Sequence, residues 1–446
     1  MGDARTRLFA DACAALDRAG VAFCVLHDTE ELTESVRSDV DMITPDPWAV
    51  ARALAATPGL RVVQALQHES TAVYTVAARF EAGRPVFVKL DASSDYRREG
   101  RVFYTGAQLL AGQRRVGALN APAPAMEFGC YLVKKVAKGE IEERQAARLT
   151  ALYRSDPAGA RREIGRFWAG AAAEGLARAA EGGQWEDVRG NLPALKATMM
   201  ARAGRGPLAA ARYWLADARR RMARALCPTG LVVACLGPDG AGKSAVLARV
   251  EAELLDAFRR THRYHFRPIL GRRATGPGGP VSNPHGRPPR GWAASVAKLM
   301  YYGADYLLGY WLAVRPRKAR STLVVFDRYY CDLLVDPRRY RYGGPEWVAR
   351  AVGGVVPQPD LYLFLDAPAE ALVARKGEVP LAEAARLRAR YVEAASRLPR
   401  ARVVDAGRPL DAVVETAERA VLDCMAARTA RRLGVSLPPD DAGKGE

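Results

Sequence analysis

Cysteine and histidine are scarce, with seven and five in 446 residues. Cys13, Cys24, Cys130, Cys227, Cys235, Cys331 and Cys424 lie far apart, with no paired spacing. That excludes a zinc-finger frame and a small disulfide scaffold, and predicts buried thiols in a reducing compartment. His27, His68, His262, His265 and His285 show no metal-ligand spacing either. The opening MGDARTRLFADACAAL lacks the apolar core and cleavage site of a secretory signal, so a cytoplasmic protein is expected. The stretch 294–314 approaches the length of a membrane span. It contains Lys298 and Asp305, each costing about 2.5–3.5 kcal/mol at mid-bilayer, so a buried helix is predicted there instead. Acidic residues are the scarcer charge: 49 Asp plus Glu against 67 Lys plus Arg leave a net +18. A basic surface attracts polyanions. Here the arginines are spread along the chain with no recognition-helix motif, so no specific nucleic-acid partner is expected. What is abundant is apolar material, 49% against 26% charged, which excludes chain-wide disorder and leaves enough for two or three cores.

Short β-branched or alternating runs at 21–26, 39–43, 61–66, 71–78 and 85–91, with helical patterns at 5–19 and 47–56, predict an α/β unit over 1–120. Residues 121–228 read as a helical extension ending in a basic amphipathic helix, 207–226. Its stripe of Leu215, Ala218, Met222 and Leu226 suits packing on a neighbouring domain better than lying on a membrane surface. A second α/β unit spans 229–432, with strands at 231–236, 322–326, 361–365 and 401–404 and a helix from the first strand to about 259. The Gly- and Pro-rich stretch 271–292 reads as a mobile loop, and 433–446 as a disordered tail.

GPDGAGKS, Gly237–Ser244, matches G-x-x-x-x-G-K-[ST] between a predicted strand and helix, the context this motif requires. Glycines let backbone N–H groups curl around phosphate oxygens while the next helix presents its positive N-terminus. Gly237, Asp239, Gly240, Ala241, Gly242, Lys243, Ser244 and Ala245 are the candidate nucleotide-binding residues, with Lys243 on the β/γ-phosphates and Ser244 on Mg²⁺. Asp327 and Arg328 end the strand TLVVF, where ligands bind in such sheets. Asp327 suits Mg²⁺, and the planar fork of Arg328 suits an acceptor phosphate. Arg375, Lys376 and Glu378, then Arg386, Arg388 and Arg390, supply cations for a lid over the transferring group, or simply a solvated basic face.

With these pieces in hand, residues 230–425 resemble the thymidylate kinase family of nucleoside monophosphate kinases: GPDGAGKS, the DRY tripeptide at 327–329, LYLFLD followed by ARKGE, and the terminal VVDA. The resemblance implies a parallel five-stranded sheet wrapped by helices, ATP with Mg²⁺ as donor, a nucleoside monophosphate as acceptor, and a homodimer through the flanking helices. It places Lys243 and Ser244 at ATP–Mg²⁺, Asp239 facing the acceptor sugar, Asp327 and Arg328 by the acceptor phosphate, and Arg375 and Lys376 in the lid. The family's TREPGG segment is replaced by RTHRYHFRPILGRR. The longer YYCDLLVDPRRYRYGG resembles divergent thymidylate-kinase-like proteins among bacterial polysaccharide-biosynthesis functions. Arg267, Tyr329 and Arg339 are candidate acceptor contacts.

The amino-terminal VAFCVLHDTEELTESVRSDVDMI resembles the nucleotidyltransferase fold. Asp39 and Asp41 alternate on one strand face and Asp91 ends another strand, a candidate two-metal site. The family's Gly-Ser after the first strand reads His27-Asp28 here, so active nucleotidyl transfer, a degenerate binding or assembly domain, and a chance carboxylate cluster all stand open. Lys134, Lys135 and Lys138 follow on a helix that either faces a phosphate or is solvated. The expected reaction is Mg²⁺-dependent transfer of the ATP γ-phosphoryl group to a phosphorylated acceptor, dTMP first. The rivals are a sugar or lipid-linked acceptor kinase with nucleotidyl transfer, a non-catalytic ATP-binding module, and a polyanion-stimulated ATPase.

Overall fold

The computed structural model describes residues 3–27, 29–204, 207–268, 288–376 and 380–438. Asp28, Glu378, His285, most of the expected Gly/Pro loop and the last residues of the expected tail lie outside them. The chain divides into two compact units, one of Met1–Arg79, Val86–Arg221 and Thr429–Glu446, the other of Phe80–Pro85 and Met222–Arg428.

In the first unit a five-stranded sheet is built from β1 (Cys24–Val25), β2 (Val40–Ile43), β3 (Arg61–Glu69), β4 (Ala72–Glu81) and β5 (Arg84–Ser93), in the order β1-β2-β5-β4-β3. β2 and β5 run parallel with Asp41 opposite Asp91, so two carboxylates meet on neighbouring strands. Helices Ala4–Arg18 and Pro47–Ala55 bury Leu8, Leu16, Val50 and Leu54 against Met42 and Leu90 of the sheet. Each helix opens on an aspartate, Asp3 or Asp46, that accepts an otherwise orphaned backbone N–H. Two hairpins follow that the sequence patterns did not reveal, β6 (Asp95–Arg98) with β7 (Arg101–Thr105) and β8 (Arg114–Val116) with β9 (Leu119–Ala121). Helices from Pro124 to Arg202 then gather Phe128, Tyr153, Trp168 and Trp185 into one core. Both indole N–H groups find acceptors there, Trp168 on the Leu195 carbonyl at 3.0 Å and Trp185 on Thr150 Oγ1 at 3.1 Å. The helix Pro207–Leu226 forms, with Leu215, Met222 and Leu226 of its apolar stripe exposed.

The second unit is an α/β layer with a fully parallel sheet: β10 (Leu231–Leu236), β11 (Arg260–Tyr264), β12 (Thr322–Phe326), β13 (Leu361–Asp366) and β14 (Ala401–Asp405), in the order β11-β12-β10-β13-β14. β10 and β12 are buried along their whole length, as is β13 up to Asp366, which is why they read as unbroken apolar runs. β10 lies between strands reached by opposite crossovers, so its carboxyl end opens a crevice flanked by the ends of β12 and β13. The phosphate-loop helix is shorter than expected. It runs Lys243–Glu253, a 3-10 turn covers Leu255–Ala257, and β11 occupies a segment to which no strand was assigned above. The apolar 294–314 stretch is a helix at Trp292–Gly309 that widens into a π-turn at Tyr310–Val314. Among the described residues no helix is long and apolar enough to cross a membrane. All seven cysteines are free, but Cys227 is exposed and Cys331 and Cys424 are half-buried, which corrects the expectation of uniformly buried thiols.

Candidate active site

The loop after β10 requires its glycines. Gly237 (φ 146°) passes so close to β13 that a Cβ would lie 2.6 Å from the Leu365 carbonyl oxygen. Gly240 (φ 87°) would meet the Leu372 carbonyl at the same distance. Gly242 (φ 85°) caps the following helix in the left-handed region with open space around it. This backbone is available to glycine and strained for other residues. Lys243 is buried, and its Nζ donates to the carbonyls of Gly237 at 2.8 Å and Pro238 at 2.9 Å. Burial and then Arg328 pull its amine below the usual lysine range. Ser244 and Ala245, one residue further, are exposed.

Asp239 is the hub of this site. Its two carboxylate oxygens take Arg328 and Arg339, while Lys243 Nζ lies 3.9 Å away. Burial opposes its charge, but the three cations outweigh it and hold the carboxyl well below the usual range. Arg328 is buried as well. Desolvation works against it, yet Asp332, Tyr340 and Asp239 keep its pKa above the ordinary value. Asp332 and Tyr391 were not singled out from the sequence. Asp332 accepts from Tyr391 at 2.7 Å and from the Tyr329 backbone N–H at 3.1 Å, fixing the helix that starts just past Arg328. The D-R-Y-Y-C-D spacing, a capping box with Asp332 at its third position, was the available signal. Pro238, Asp239, Arg328, Arg339, Lys376 and Tyr391 line a cavity of only about 20 Å³, room for about one water.

Asp327 follows β12, with its N–H on the Tyr264 carbonyl at 2.9 Å and its carboxylate 3.4 Å from His265 Nδ1. Burial opposes its charge, but His265, Lys243 and Arg328 bring it below the usual range. Its Oδ1 is buried with no hydrogen-bond partner among the described residues. An unpartnered anionic oxygen beside a phosphate loop is a donor that a hard cation accepts, so the residues present fit Mg²⁺.

Several expected residues are placed elsewhere. Tyr329 belongs to the core, with its hydroxyl on the Pro357 carbonyl, and it does not line the cavity. Arg375 is turned to the Ala406 carbonyl at 3.1 Å, while Lys376 lines the cavity. Arg388 forks onto Asp366 at 2.6 and 2.8 Å, Arg386 pairs with Glu383, and Arg390 donates to the Leu334 carbonyl. Arg267 meets Asp305 at 3.1 Å, away from Asp239.

In the first unit, His27 Nε2 lies 2.9 Å from Asp41 and 2.6 Å from Lys134 Nζ, and Lys134 also contacts Asp41 directly. Burial opposes the charge of Asp41, but His27 and Lys134 hold it well below the usual range. Asp39 accepts from the Tyr74 hydroxyl at 3.0 Å. Asp91 stands 3.3 Å from His68, its carboxyl pushed up to about 7 by burial and then by Asp41, Glu69 and Asp39. Among the described residues no group of three or more His, Cys, Asp and Glu side chains is arranged to hold a metal ion. The Lys134 ammonium stands against Asp41, which pairs with Asp91 across the two strands, and Asp39 also acts on Asp91. Next to it, His27, Asp39, Asp41, Lys134, Lys135 and Lys138 border a cavity of about 140 Å³.

No family model matches the chain. The thymidylate kinase of Xanthomonas campestris pv. campestris (strain B100) is 31% identical over 230 residues, covering 49% of this chain and 93% of that protein. Thymidylate kinases of Xanthomonas oryzae pv. oryzae (strain PXO99A), 29% identical over 226 residues with the same coverage, and Xanthomonas euvesicatoria pv. vesicatoria (strain 85-10), 30% over 210 residues covering 46% and 88%, agree. These likenesses support nucleotide kinase activity in general. Together with the glycine-strained loop, Lys243 and the arginines gathered on Asp239, they show that over about half its length the chain belongs to the thymidylate kinase family.

Proposed function

We propose that the second unit transfers the γ-phosphoryl group of ATP to a nucleoside monophosphate, with dTMP the first acceptor to test. The observation that carries this reading is the convergence of Arg328 and Arg339 on Asp239, beside the phosphate loop. An acceptor oxygen attacks the γ-phosphorus in line, the bond to the β,γ-bridging oxygen breaks, and ADP leaves with that electron pair. Little covalent work falls to the protein, which positions the reactants and neutralises charge.

Lys243 leaves the Gly237 and Pro238 carbonyls for the triphosphate, and the loop N–H groups enclose the β-phosphate. Arg328 and Arg339 pass from Asp239 to the acceptor phosphate, and the freed carboxylate turns to the acceptor sugar. Ser244 and the unpartnered oxygen of Asp327 would hold Mg²⁺, which supplies neutralisation of phosphate charge when bound. Lys376 closes the cavity from the lid side.

The test is a transfer assay with γ-labelled ATP against nucleoside monophosphates, sugars and sugar phosphates. Label passing to dTMP or another nucleoside monophosphate supports the reading, and label passing only to a sugar or sugar phosphate overturns it. For the first unit, Lys134 on Asp41 favours a nucleotidyltransferase-like domain kept for binding or assembly over active nucleotidyl transfer. The apolar residues Met300, Leu308, Trp311 and Leu312, exposed along one helical stretch, favour a homodimer.

A further inference from the structure

The helix Pro207–Leu226 carries its apolar side outward. Leu208, Leu215, Met222 and Leu226 recur at heptad and half-heptad steps, each between 63% and 68% exposed. Ala211 and Ala218, exposed as well, fill the positions between, so one apolar stripe runs the length of the helix. The packing expected of this stripe is not made. The covered side is the opposite one, and it is polar. Tyr213, Asp217, Arg220 and Arg224 follow one another there at helical spacing, all partly buried. Asp217 and Arg220 pair with side chains only 13% and 14% exposed, and Arg224 donates to the Ala319 carbonyl at 3.3 Å. A surface helix ordinarily buries its apolar stripe and solvates its charges; here the order is reversed.

Charge borders the stripe on both edges. By the helical period, exposed Arg212 and Arg219 run along one side, and exposed Trp214 and Arg221 along the other. The helix holds five arginines and one aspartate, and that aspartate is taken by Arg220 and by Arg221 at 2.7 Å. What covers this face must therefore be apolar at its centre and anionic at its rim. A second copy does not qualify, because its own stripe is edged by arginine and like charges would meet. An acidic protein helix would satisfy the charge, but Trp214 at the seam between the apolar and basic strips favours lipid. An indole suits the boundary between headgroups and acyl chains, and a Leu/Trp face edged by arginine is the pattern of helices that lie in that boundary. Among the described residues no helix is long and apolar enough to cross a membrane, so the contact is a lying one. We infer that the helix Pro207–Leu226 docks the chain on an anionic lipid surface, with its stripe among the upper acyl carbons and its arginines on headgroup phosphates. This surface takes no part in phosphoryl transfer and goes beyond the kinase reading.

The test is flotation of the full chain with vesicles of phosphatidylglycerol and phosphatidylcholine in equal parts, against phosphatidylcholine alone. Partition onto the mixed vesicles should be at least about tenfold greater and should fall as salt rises. A chain of net charge +18 also adsorbs to anionic surfaces without inserting, and a charge-preserving variant separates the two. Leu215→Gln with Met222→Gln changes two exposed side chains and no charge, and should lower partition at least about tenfold. Arg212→Gln with Arg219→Gln should weaken the preference for the mixed vesicles. A wild-type chain that does not float with the mixed vesicles, or a glutamine pair at 215 and 222 that floats like the wild type, overturns the inference. So does tight binding of an acidic amphipathic peptide by a chain that ignores the vesicles, which assigns the face to a protein partner. ATP affinity measured on the same samples should not change with either pair and reports separately on the kinase reading.

Discussion

Replacing Asp239 by Asn tests the acceptor arrangement through stability before any substrate is known. Asp239 stands between Arg328 and Arg339 and close to Lys243, all of them buried or partly so. A unit charge about 4 Å from another is worth about 4 kcal/mol at an effective dielectric of 20. Desolvation offsets most of that, and removing one member of a buried pair costs about 3–5 kcal/mol because the other is left uncompensated. Asp332 still acts on Arg328, so a loss of about 2–4 kcal/mol is expected for Asp239→Asn. Because the folded carboxyl titrates below its unfolded value, the native aspartate contributes this stability above the unfolded pKa and loses it as pH falls through the folded one. The wild-type advantage should therefore persist at neutral pH and shrink in acid. Inorganic phosphate should bind between the two released arginines and restore about 2.7 kcal/mol at a hundred times its dissociation constant. Urea unfolding with and without phosphate, at pH 7 and pH 3.5, reads all of this. A variant as stable as the wild type, or one that phosphate stabilises no more than the wild type, would refute the reasoning.

Further outcomes follow from the same geometry. Lys243→Ala should lower turnover by about 10²–10³ in the transfer assay with the fold intact by circular dichroism, since it removes preorganised charge at the phosphates. Near-normal turnover would contradict its role. Gly240→Ala combines a left-handed backbone with a Cβ 2.6 Å from the Leu372 carbonyl oxygen, whereas Gly242→Ala meets no atom within 4 Å. Denaturation should show the first costing more than the second, whose cost is backbone strain of about 1–3 kcal/mol; the reverse order would sink the loop description. Glu418 is buried, its carboxyl pushed up to about 8 by burial and then by Glu253, with Glu415 adding and Arg249 opposing. Its folded pKa exceeds the unfolded one, so stability falls as pH rises from about 4.5 to 8. Glu418→Gln should therefore gain up to about 4 kcal/mol over the wild type at pH 8 and little at pH 4. An equal effect at both pH values would exclude this titration.

The buried strands of the kinase unit were legible because parallel strands covered on both faces leave continuous apolar runs such as LVVACL and LYLFLD. β11 was not. Its RTHRY lies at the sheet edge, half-exposed and polar, and carries no hydrophobic signal. The phosphate loop could be read because its chemistry is local, from Gly237 to Ser244. Arg328 and Arg339 could be named as candidates, but their meeting on Asp239 spans about a hundred residues of chain and needs the folded sheet. The orientations of Tyr329 and Arg375 were not legible for a related reason. Position after a strand does not say which way a side chain turns, and both turn to backbone carbonyls. The Lys134 ammonium on Asp41, which joins a helix to a strand across 93 residues, was equally invisible.

The central claim is that one crevice holds a triphosphate on the loop at Lys243 and an acceptor phosphate on Arg328 and Arg339. A bisubstrate compound joining adenosine to thymidine through five phosphates tests it in one calorimetric titration of the full chain with Mg²⁺. The account predicts binding at least about a hundredfold tighter than ATP alone, since linked groups bind the second site at high effective concentration, and displacement by both ATP and dTMP. An affinity no better than that of ATP, with no competition from dTMP, would contradict it.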